Sequence, residues 1–343
     1  MRIAILGAGS IGCFVGGSWM AAGCDVRLIG RARIGAEIAT SGLSLSDQDG
    51  WRAEIASSRV DFSSDPASLS DADVIVLTVK SIATEAAAAD IARHGRKGAT
   101  VISLQNGVSN VATLERLLPD FGIVQAVVPY NVVRLSLGHW HRATWGDLIA
   151  ARTPVTEALA RAIGDRPGRL LLSDAMAGVA WGKLLLNLNN AVNALSGTTI
   201  LEELKQRDFR RVLAAAMLET LDLLTAAGIE PGKISQVPPR LLPHVIGSPD
   251  FIFRHLFLRV QKIDPKASSS MADDLKAGRR TEVDHLNGEV VRLAASMGRK
   301  APVNAAIVDL VKQAEAGVER KWTARALREH VLGASAIKRP FGY

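Results

Sequence analysis

Three sets of residues in this sequence combine type and spacing in ways that chemistry can use. The first is Gly7-Ala8-Gly9-Ser10-Ile11-Gly12, a G-x-G-x-x-G pattern. In that pattern the first glycine permits a tight turn, the second lets backbone approach a pyrophosphate, and the third lets a helix lie close on a strand. A helix that begins there would offer free N–H groups and the positive end of its dipole to the phosphates. The motif alone is weak. Here a strand-like run, Arg2–Leu6, precedes it, and a second, Asp25–Ile29, follows at the spacing of a βαβ unit. Gly7, Ala8, Gly9, Ser10, Ile11 and Gly12 are therefore read as cofactor-binding.

The second set selects the dinucleotide. NAD sites place Asp or Glu at the end of the second strand, where it accepts from the ribose hydroxyls. In Asp25-Val26-Arg27-Leu28-Ile29-Gly30-Arg31 that position is Gly30, and Asp25 lies at the wrong end of the strand. Arg31 follows, with Arg33 nearby. A guanidinium fork suits a 2′-phosphate, so the expected cofactor is NADP(H). Lys80 and Asn106 each follow an apolar strand at its carboxyl end, where ligands sit in open parallel sheets.

The third set lies on a leucine-rich helical stretch, Trp181–Leu195. At about 100° per residue, Lys183, Asn187 and Asn190 share one face. A cation beside two amides can stabilise the negative charge that builds on a carbonyl oxygen when hydride reaches its carbon, and can deliver a proton to it. A surface lysine that snorkels into solvent is the other reading of the same residue. Glu282 follows Arg279, Arg280 and Thr281 at a helix start. Read alone, Thr281 with Asp284 is a cap, and Glu282 compensates the helix dipole beside an arginine. Ser270 with Asp273 can cap a short helix in the same way.

The elements that must hold these residues alternate in the first half and change character in the second. Arg2–Leu6, Asp25–Ile29, Val74–Thr78, Thr100–Ser103 and Ile123–Val128 are near-continuous apolar runs, as parallel strands buried on both faces require. Between the second and third, alternating residues flank Asp49-Gly50. This predicts a β-hairpin inserted at the sheet edge. The character changes near Arg166-Pro167-Gly168, and beyond the short run Leu170–Leu172 almost everything reads as helix: Trp181–Leu195, Asp208–Ala227, Met271–Ala277, Glu282–Met297, Asn304–Ala316 and Thr323–Leu332. The expected architecture is an α/β N-terminal Rossmann domain with a doubly wound, mostly parallel sheet over residues 1–170, followed by an all-α domain over 171–343.

Composition excludes several classes. A chain of 343 residues needs neither disulfides nor metals to build a core, and two cysteines, Cys13 and Cys24, form no framework. The seven histidines show no ligand spacing, so no metal is expected. The net charge of +7 comes without a Lys/Arg tract longer than two residues or a stacking-aromatic motif, which argues against nucleic acid. No window reaches eighteen uncharged apolar residues and no signal-like stretch precedes the first strand, so the expectation is a cytoplasmic protein without a membrane partner.

With those residues in view, the sequence resembles the ketopantoate reductases (2-dehydropantoate 2-reductases) over essentially its whole length. The anchors are Gly7–Gly12 with Arg31, Val76–Lys80, Leu104-Gln105-Asn106-Gly107, Trp181–Asn187, Ser269-Ser270-Met271 and Gly278–Gly288. The resemblance implies NADPH-dependent reduction of a branched 2-keto acid to its 2-hydroxy acid, the step that makes pantoate for pantothenate synthesis. It implies Lys183 as the catalytic acid and Glu282 as a second catalytic residue that accepts from a substrate hydroxyl or positions Lys183. Glu282, Asn187 and Ser270 would hold the substrate, and Asn106 and Lys80 would stand at the cofactor–substrate junction; Asn190, on the face of Lys183 and Asn187, is read as a further substrate-binding amide. It also implies a homodimer. The chain departs from the family at Ala191, where a second asparagine is common, and over Pro129–Arg142. Those departures bear on which 2-keto acid, branched or aromatic, is reduced. A further alternative is an NADP-binding regulator without turnover.

Overall fold

The apolar runs read from the sequence assemble into one sheet because each carries buried side chains on both faces. The molecule is described by a computed structural model over residues 1–257, 264–318 and 321–333. It divides into two units, Met1–Ala180 and Trp181–Tyr343. In chain order the strands are β1 (Arg2–Leu6), β2 (Asp25–Ile29), β3 (Leu43–Asp47), β4 (Arg52–Ile55), β5 (Asp61–Ser63), β6 (Val74–Leu77), β7 (Thr100–Ser103), β8 (Gly122–Val127), β9 (Val132–Ser136), β10 (His139–Arg142), β11 (Leu148–Ala151) and β12 (Leu170–Ser173). The main sheet runs β12-β11-β8-β7-β6-β1-β2-β5. Only the β8–β11 pairing is antiparallel, so the sheet is mostly parallel as expected. The short run Leu170–Leu172 adds its edge strand, so the first unit extends past the Arg166-Pro167-Gly168 turn.

Alternation along β1 shows why the sheet is doubly wound. Ile3 and Ile5 join a core on one face with Phe14, Trp19 and Leu28. Ala4 and Leu6 join a core on the other with Ile75, Leu77, Ile91 and Leu114. The helices that cover these faces are α1 (Ser10–Ala21), α2 (Ala32–Ser41), α3 (Thr84–His94), α4 (Asn110–Leu117) and α5 (Pro154–Ile163). Register sets the functional edge. Leu6 pairs with Ile29 and with Leu77, and Leu77 pairs with Ser103. The carboxyl ends of β2, β1, β6 and β7 are therefore level.

The Asp49-Gly50 hairpin forms, with Ser46 opposite Arg52. Its expected place at the edge of the main sheet is corrected. β3 and β4 belong to a separate sheet of order β4-β3-β10-β9, in which β10 runs parallel to β3. The reason lies in its side chains. Leu43 and Leu45 go into the core, while Asp47 is buried against Arg142 of β10 at 2.8 Å. A buried ion pair that also accepts from the Asp49 and Trp51 N–H groups fixes this strand order.

Every regular element among the described residues of the second unit is a helix or helical turn. Its helices are α6 (Met176–Asn187), which starts in the first unit, α7 (Asn189–Ser196), α8 (Ile200–Leu204), α9 (Arg207–Ala226), α10 (Leu242–Gly247), α11 (Asp250–Ile252), α12 (Ser270–Lys276), α13 (Asn287–Ser296), α14 (Pro302–Glu315) and α15 (Ala324–Leu332). Two expectations are corrected here. The single helix Trp181–Leu195 is interrupted at Leu188, which stays near helical dihedrals (φ −57°, ψ −25°), so Asn190 stands on α7 rather than on the helix of Lys183. The helix Glu282–Met297 is a short 3₁₀ turn, Val283–His285, followed by α13, because Leu286 (φ −119°, ψ −92°) leaves helical geometry.

A polar spine runs through the second unit. Glu219 of α9 accepts from the N–H groups of Val303 and Asn304 at 2.9 Å each and from Asn304 Nδ2 at 2.8 Å. It thus satisfies the exposed N–H groups that begin α14, where Ala301 offers no side-chain cap. Asn287 donates to Asn304 Oδ1 at 3.0 Å, and both asparagines are fully buried. No helix among the described residues is long and apolar enough to cross a membrane.

Candidate active site

The glycine loop leaves β1 and turns because Gly7 adopts φ +111°, a conformation L side chains rarely take. The Gly7 and Ala8 N–H groups both donate to Ile29 O at 2.9 Å, and Thr78 Oγ1 donates to Gly7 O at 2.7 Å. The loop is thereby stitched to the ends of β2 and β6. A Cβ at Gly12 would lie 2.4 Å from Gly7 O, so α1 can approach the loop this closely only with glycine there. At Gly9 the nearest atom to such a Cβ is Gly7 O, 3.9 Å away. That side is open for a ligand to approach the backbone. Gly9 supplies no side-chain cap to α1, and the first turn holds no acid, so the positive end of the helix faces outward uncompensated.

Gly30 lies against this loop. A Cβ there would come within 2.7 Å of Ala8 Cβ, so an acidic side chain at that position would have to displace the glycine loop. Arg31 is exposed and leads into α2. Neither Arg31 nor Arg33 makes an ion pair among the described residues. Lys80 is exposed and opens a 3₁₀ turn, Ser81–Ala83, just beyond β6. Asn106 follows β7.

Sequence reading missed what holds those two loops together. Ser81 Oγ donates to Asn106 O at 2.8 Å, and Asn110 Nδ2 donates to the same carbonyl at 2.6 Å. Gln105 Nε2 donates to Thr84 Oγ1 at 2.8 Å and to Val79 O at 3.2 Å. Ser81, Thr84, Gln105 and Asn110 are all buried. Buried polar groups need such partners, and a satisfied network locks the loops that carry Lys80 and Asn106. Its only trace in the sequence is polar residues directly beside the two candidates.

In the second unit Lys183 and Asn187 stand four residues apart on α6, on one face. The Lys183 side chain keeps some exposed surface, but its ammonium lies deep enough that loss of solvation pushes its pKa down to about 8. No carboxylate pairs with it among the described residues. Asn187 is buried. Asn190 contributes its backbone carbonyl to Ser269 Oγ at 3.0 Å, and Asn193 Oδ1 accepts from the Ser269 N–H at 2.9 Å. α7 is thus tied to the start of α12.

Two capping assignments are corrected. The cap of α12 is Ser269, whose Oγ accepts from the Ala272 N–H at 3.1 Å, and Ser270 is the exposed first residue of the helix. Thr281 does not cap an α-helix with Asp284. Its N–H and hydroxyl go to Glu315, and Glu282 is buried just ahead of a 3₁₀ turn, outside any α-helical first turn. The dipole reading of Glu282 therefore fails. α14 packs against both α7 and that turn, which brings the segments bearing Asn190 and Glu282 into one helical unit.

Comparison with known proteins agrees with this arrangement. The family model for ketopantoate reductase PanE/ApbA matches residues 3–154, and the model for the C-terminal part of the same family matches residues 175–315. A 2-dehydropantoate 2-reductase from Halobacterium salinarum is 27% identical over 327 residues, 92% of this chain and 99% of its own. A crystal structure of a PanE/ApbA family ketopantoate reductase from Ralstonia eutropha JMP134 is similar at TM-score 0.78 and 31% identity, over 92% of this chain and 99% of that one. D-mandelate dehydrogenase in a ternary complex with NADH and anilino(oxo)acetate shares the fold at TM-score 0.75 and 21% identity, over 92% and 99% of the two chains. Two family models in sequence along one chain, joined by a glycine loop at one end and a lysine-bearing helix past the middle, lead to a single assignment: the chain belongs to the ketopantoate reductase PanE/ApbA family of oxidoreductases.

Proposed function

We propose that this protein reduces 2-dehydropantoate to pantoate with NADPH and that Lys183 is the general acid. One observation carries the reading. A lysine on a leucine-rich helix, four residues from a buried asparagine, has its pKa lowered to about 8 by desolvation, which matches proton donation near neutral pH. In this reading residues 1–170 bind the dinucleotide and residues 171–343 bind the keto acid. The protein works as a cytoplasmic homodimer, as the family resemblance implies.

The first unit fits the cofactor on two counts: the open side of Gly9 admits a pyrophosphate, and the guanidinium of Arg31 beside Gly30, without an ion pair among the described residues, suits a 2′-phosphate. When bound, NADPH supplies a hydride to the keto carbon. The loop Gly7 to Gly12 holds the pyrophosphate through the N–H groups that begin α1, at Ser10, Ile11 and Gly12, because those of Gly7, Ala8 and Gly9 are bonded to Ile29 O and within the loop, and Lys80 and Asn106 orient the nicotinamide end and the substrate. Lys183 stabilises the charge growing on the carbonyl oxygen and transfers a proton to it, so the C=O bond becomes C–O–H and the neutral amine is reprotonated from solvent. Asn187, Asn190 and Ser270 hydrogen-bond the keto acid. Glu282 accepts from the substrate hydroxyl.

Steady-state rates with NADPH across a panel of 2-keto acids test this. The expected result is the highest kcat/KM for 2-dehydropantoate. A higher value for an aryl keto acid replaces that substrate and leaves the reaction type intact. A specific observation favours including it: Ala191, at the family's asparagine position, is fully buried, so α7 offers no second amide there.

The cofactor preference has its own expected outcome. Arg31→Ala raises the KM for NADPH by roughly 10- to 100-fold, the usual consequence of losing a charge-assisted hydrogen bond. The KM for NADH stays within about twofold, because NADH carries no 2′-phosphate to lose. Equal losses for both cofactors rule out the 2′-phosphate role.

A further inference from the structure

Glu282 has no regular element under it. It sits between Thr281, which belongs to no regular element, and the 3₁₀ turn Val283–His285, with φ −93° and ψ 22°, yet it is buried. The backbone that carries a buried carboxyl on an irregular segment has to be held in place by other elements. The contacts to its preceding neighbour, Thr281, come from the last turn of α14. The Thr281 N–H donates to Glu315 Oε1 at 2.8 Å and the Thr281 hydroxyl donates to the same oxygen at 2.6 Å. The Thr281 Oγ1 in turn accepts from the Val283 N–H at 3.2 Å, so the grip passes across Glu282 to its other neighbour. Lys312, one turn earlier on α14, donates to Glu315 Oε2 at 3.2 Å and pairs with Asp284. The Asp284 carbonyl accepts from Arg292 Nη2 at 2.6 Å.

We infer that Glu315 is a positioning residue for Glu282, acting through Thr281. This rests on the reading of Glu282 as a substrate-binding carboxylate. Thr281 is 3% exposed and the Glu315 side chain 11% exposed, so solvent does not compete for these bonds. Both oxygens of Glu315 are engaged, one by Thr281 and one by Lys312. The far end of α14 is anchored by Glu219, so the helix gives the last turn a fixed base. The carboxylate of Glu315 never needs to meet substrate. It sets where the peptide flanking Glu282 lies, and a displacement of about 1 Å in such a group can cost up to about 100-fold in rate.

The test is a double-mutant cycle on kcat/KM for the keto acid, with the NADPH KM and the Tm measured for each variant. Glu315→Ala is expected to lower kcat/KM about tenfold, chiefly through a raised keto-acid KM, with the NADPH KM unchanged. Glu315→Gln keeps an amide oxygen for the two Thr281 donors and is expected to recover most of the loss. In a Glu282→Ala background, adding Glu315→Ala is expected to cost nothing more. Thr281→Val, which removes the hydroxyl's bonds to Glu315 and to the Val283 N–H and keeps the Thr281 N–H bond to Glu315, gives a loss with the same dependence on Glu282 and serves if Glu315→Ala does not fold. Full multiplicative losses in the double variant overturn the inference, as does a folded Glu315→Ala with wild-type kcat/KM. Wild-type activity in Glu282→Ala alone is a different result: it removes the reading of Glu282, and the inference with it.

Discussion

Lys183→Ala is expected to lower kcat by about 10²- to 10⁴-fold while leaving NADPH affinity within about twofold. The range is what positioned proton donors supply, and the separation follows from where the residue stands, on α6 rather than in the glycine-loop unit. The pH dependence sharpens the expectation. Lys183 must be protonated to act as an acid, and desolvation holds its pKa at about 8, below the ordinary 10.5. The wild-type kcat should therefore fall as pH rises through about 8. Unfolding cannot mimic that fall through this group. Between about 8 and 10.5 the unfolded chain holds more protons at Lys183 than the folded one, so its contribution to stability rises with pH. Stopped-flow or steady-state kcat against pH, with Tm measured over the same range, checks both. Lys183→Ala should not lower Tm, since it removes a charge whose burial is unfavourable. An unchanged kcat in this variant would remove Lys183 as the general acid, whereas a wild-type protein that binds NADPH but turns over no 2-keto acid would favour the non-catalytic NADP-binding regulator.

Gly12→Ala and Gly9→Ala should both abolish tight cofactor binding, with at least about 100-fold weaker Kd, but through different physics. At Gly12 the new Cβ would stand 2.4 Å from Gly7 O and 2.8 Å from Thr78 Oγ1. α1 must move off the strand, so Tm should drop along with affinity. At Gly9 the nearest atom is 3.9 Å away, which is ordinary contact. The fold should be kept, with Tm within a degree or two, while the methyl occupies space the pyrophosphate needs. Calorimetric Kd values for NADPH and NADH together with Tm separate the two cases. Retained affinity in Gly9→Ala would remove the pyrophosphate from this loop.

Local patterns were legible wherever one segment's own residues decide its structure. Arg2–Leu6 and Asp25–Ile29 are strands because their apolar runs allow burial on both faces, and both pair as expected. The Asp49-Gly50 turn closes its hairpin by local geometry alone. Which sheet that hairpin joins was not legible, because the buried Asp47–Arg142 pair links residues far apart in the chain. Caps were legible as a type of residue but not as a position. Ser269 and Ser270 are equally good caps on composition, and Asn193, reaching the Ser269 N–H from α7, settles which one begins the helix. Glu203 shows the same limit for charge. It follows a Thr199 cap, a position that suits an acid at a helix start, yet the fold buries it completely and pushes its pKa up to about 8.

The glycine loop with Gly30 and Arg31 was set by the sequence alone, because turn geometry, helix approach and the charge beside the ribose position all depend on neighbours within one βαβ unit. The surroundings of Lys183 and Glu282 were not. The low pKa of one comes from desolvation on burial, and the residue before the other is held by Glu315 on a helix that ends more than thirty residues later. Burial and long-range hydrogen bonds are properties of the folded chain, so only the tertiary structure could decide them.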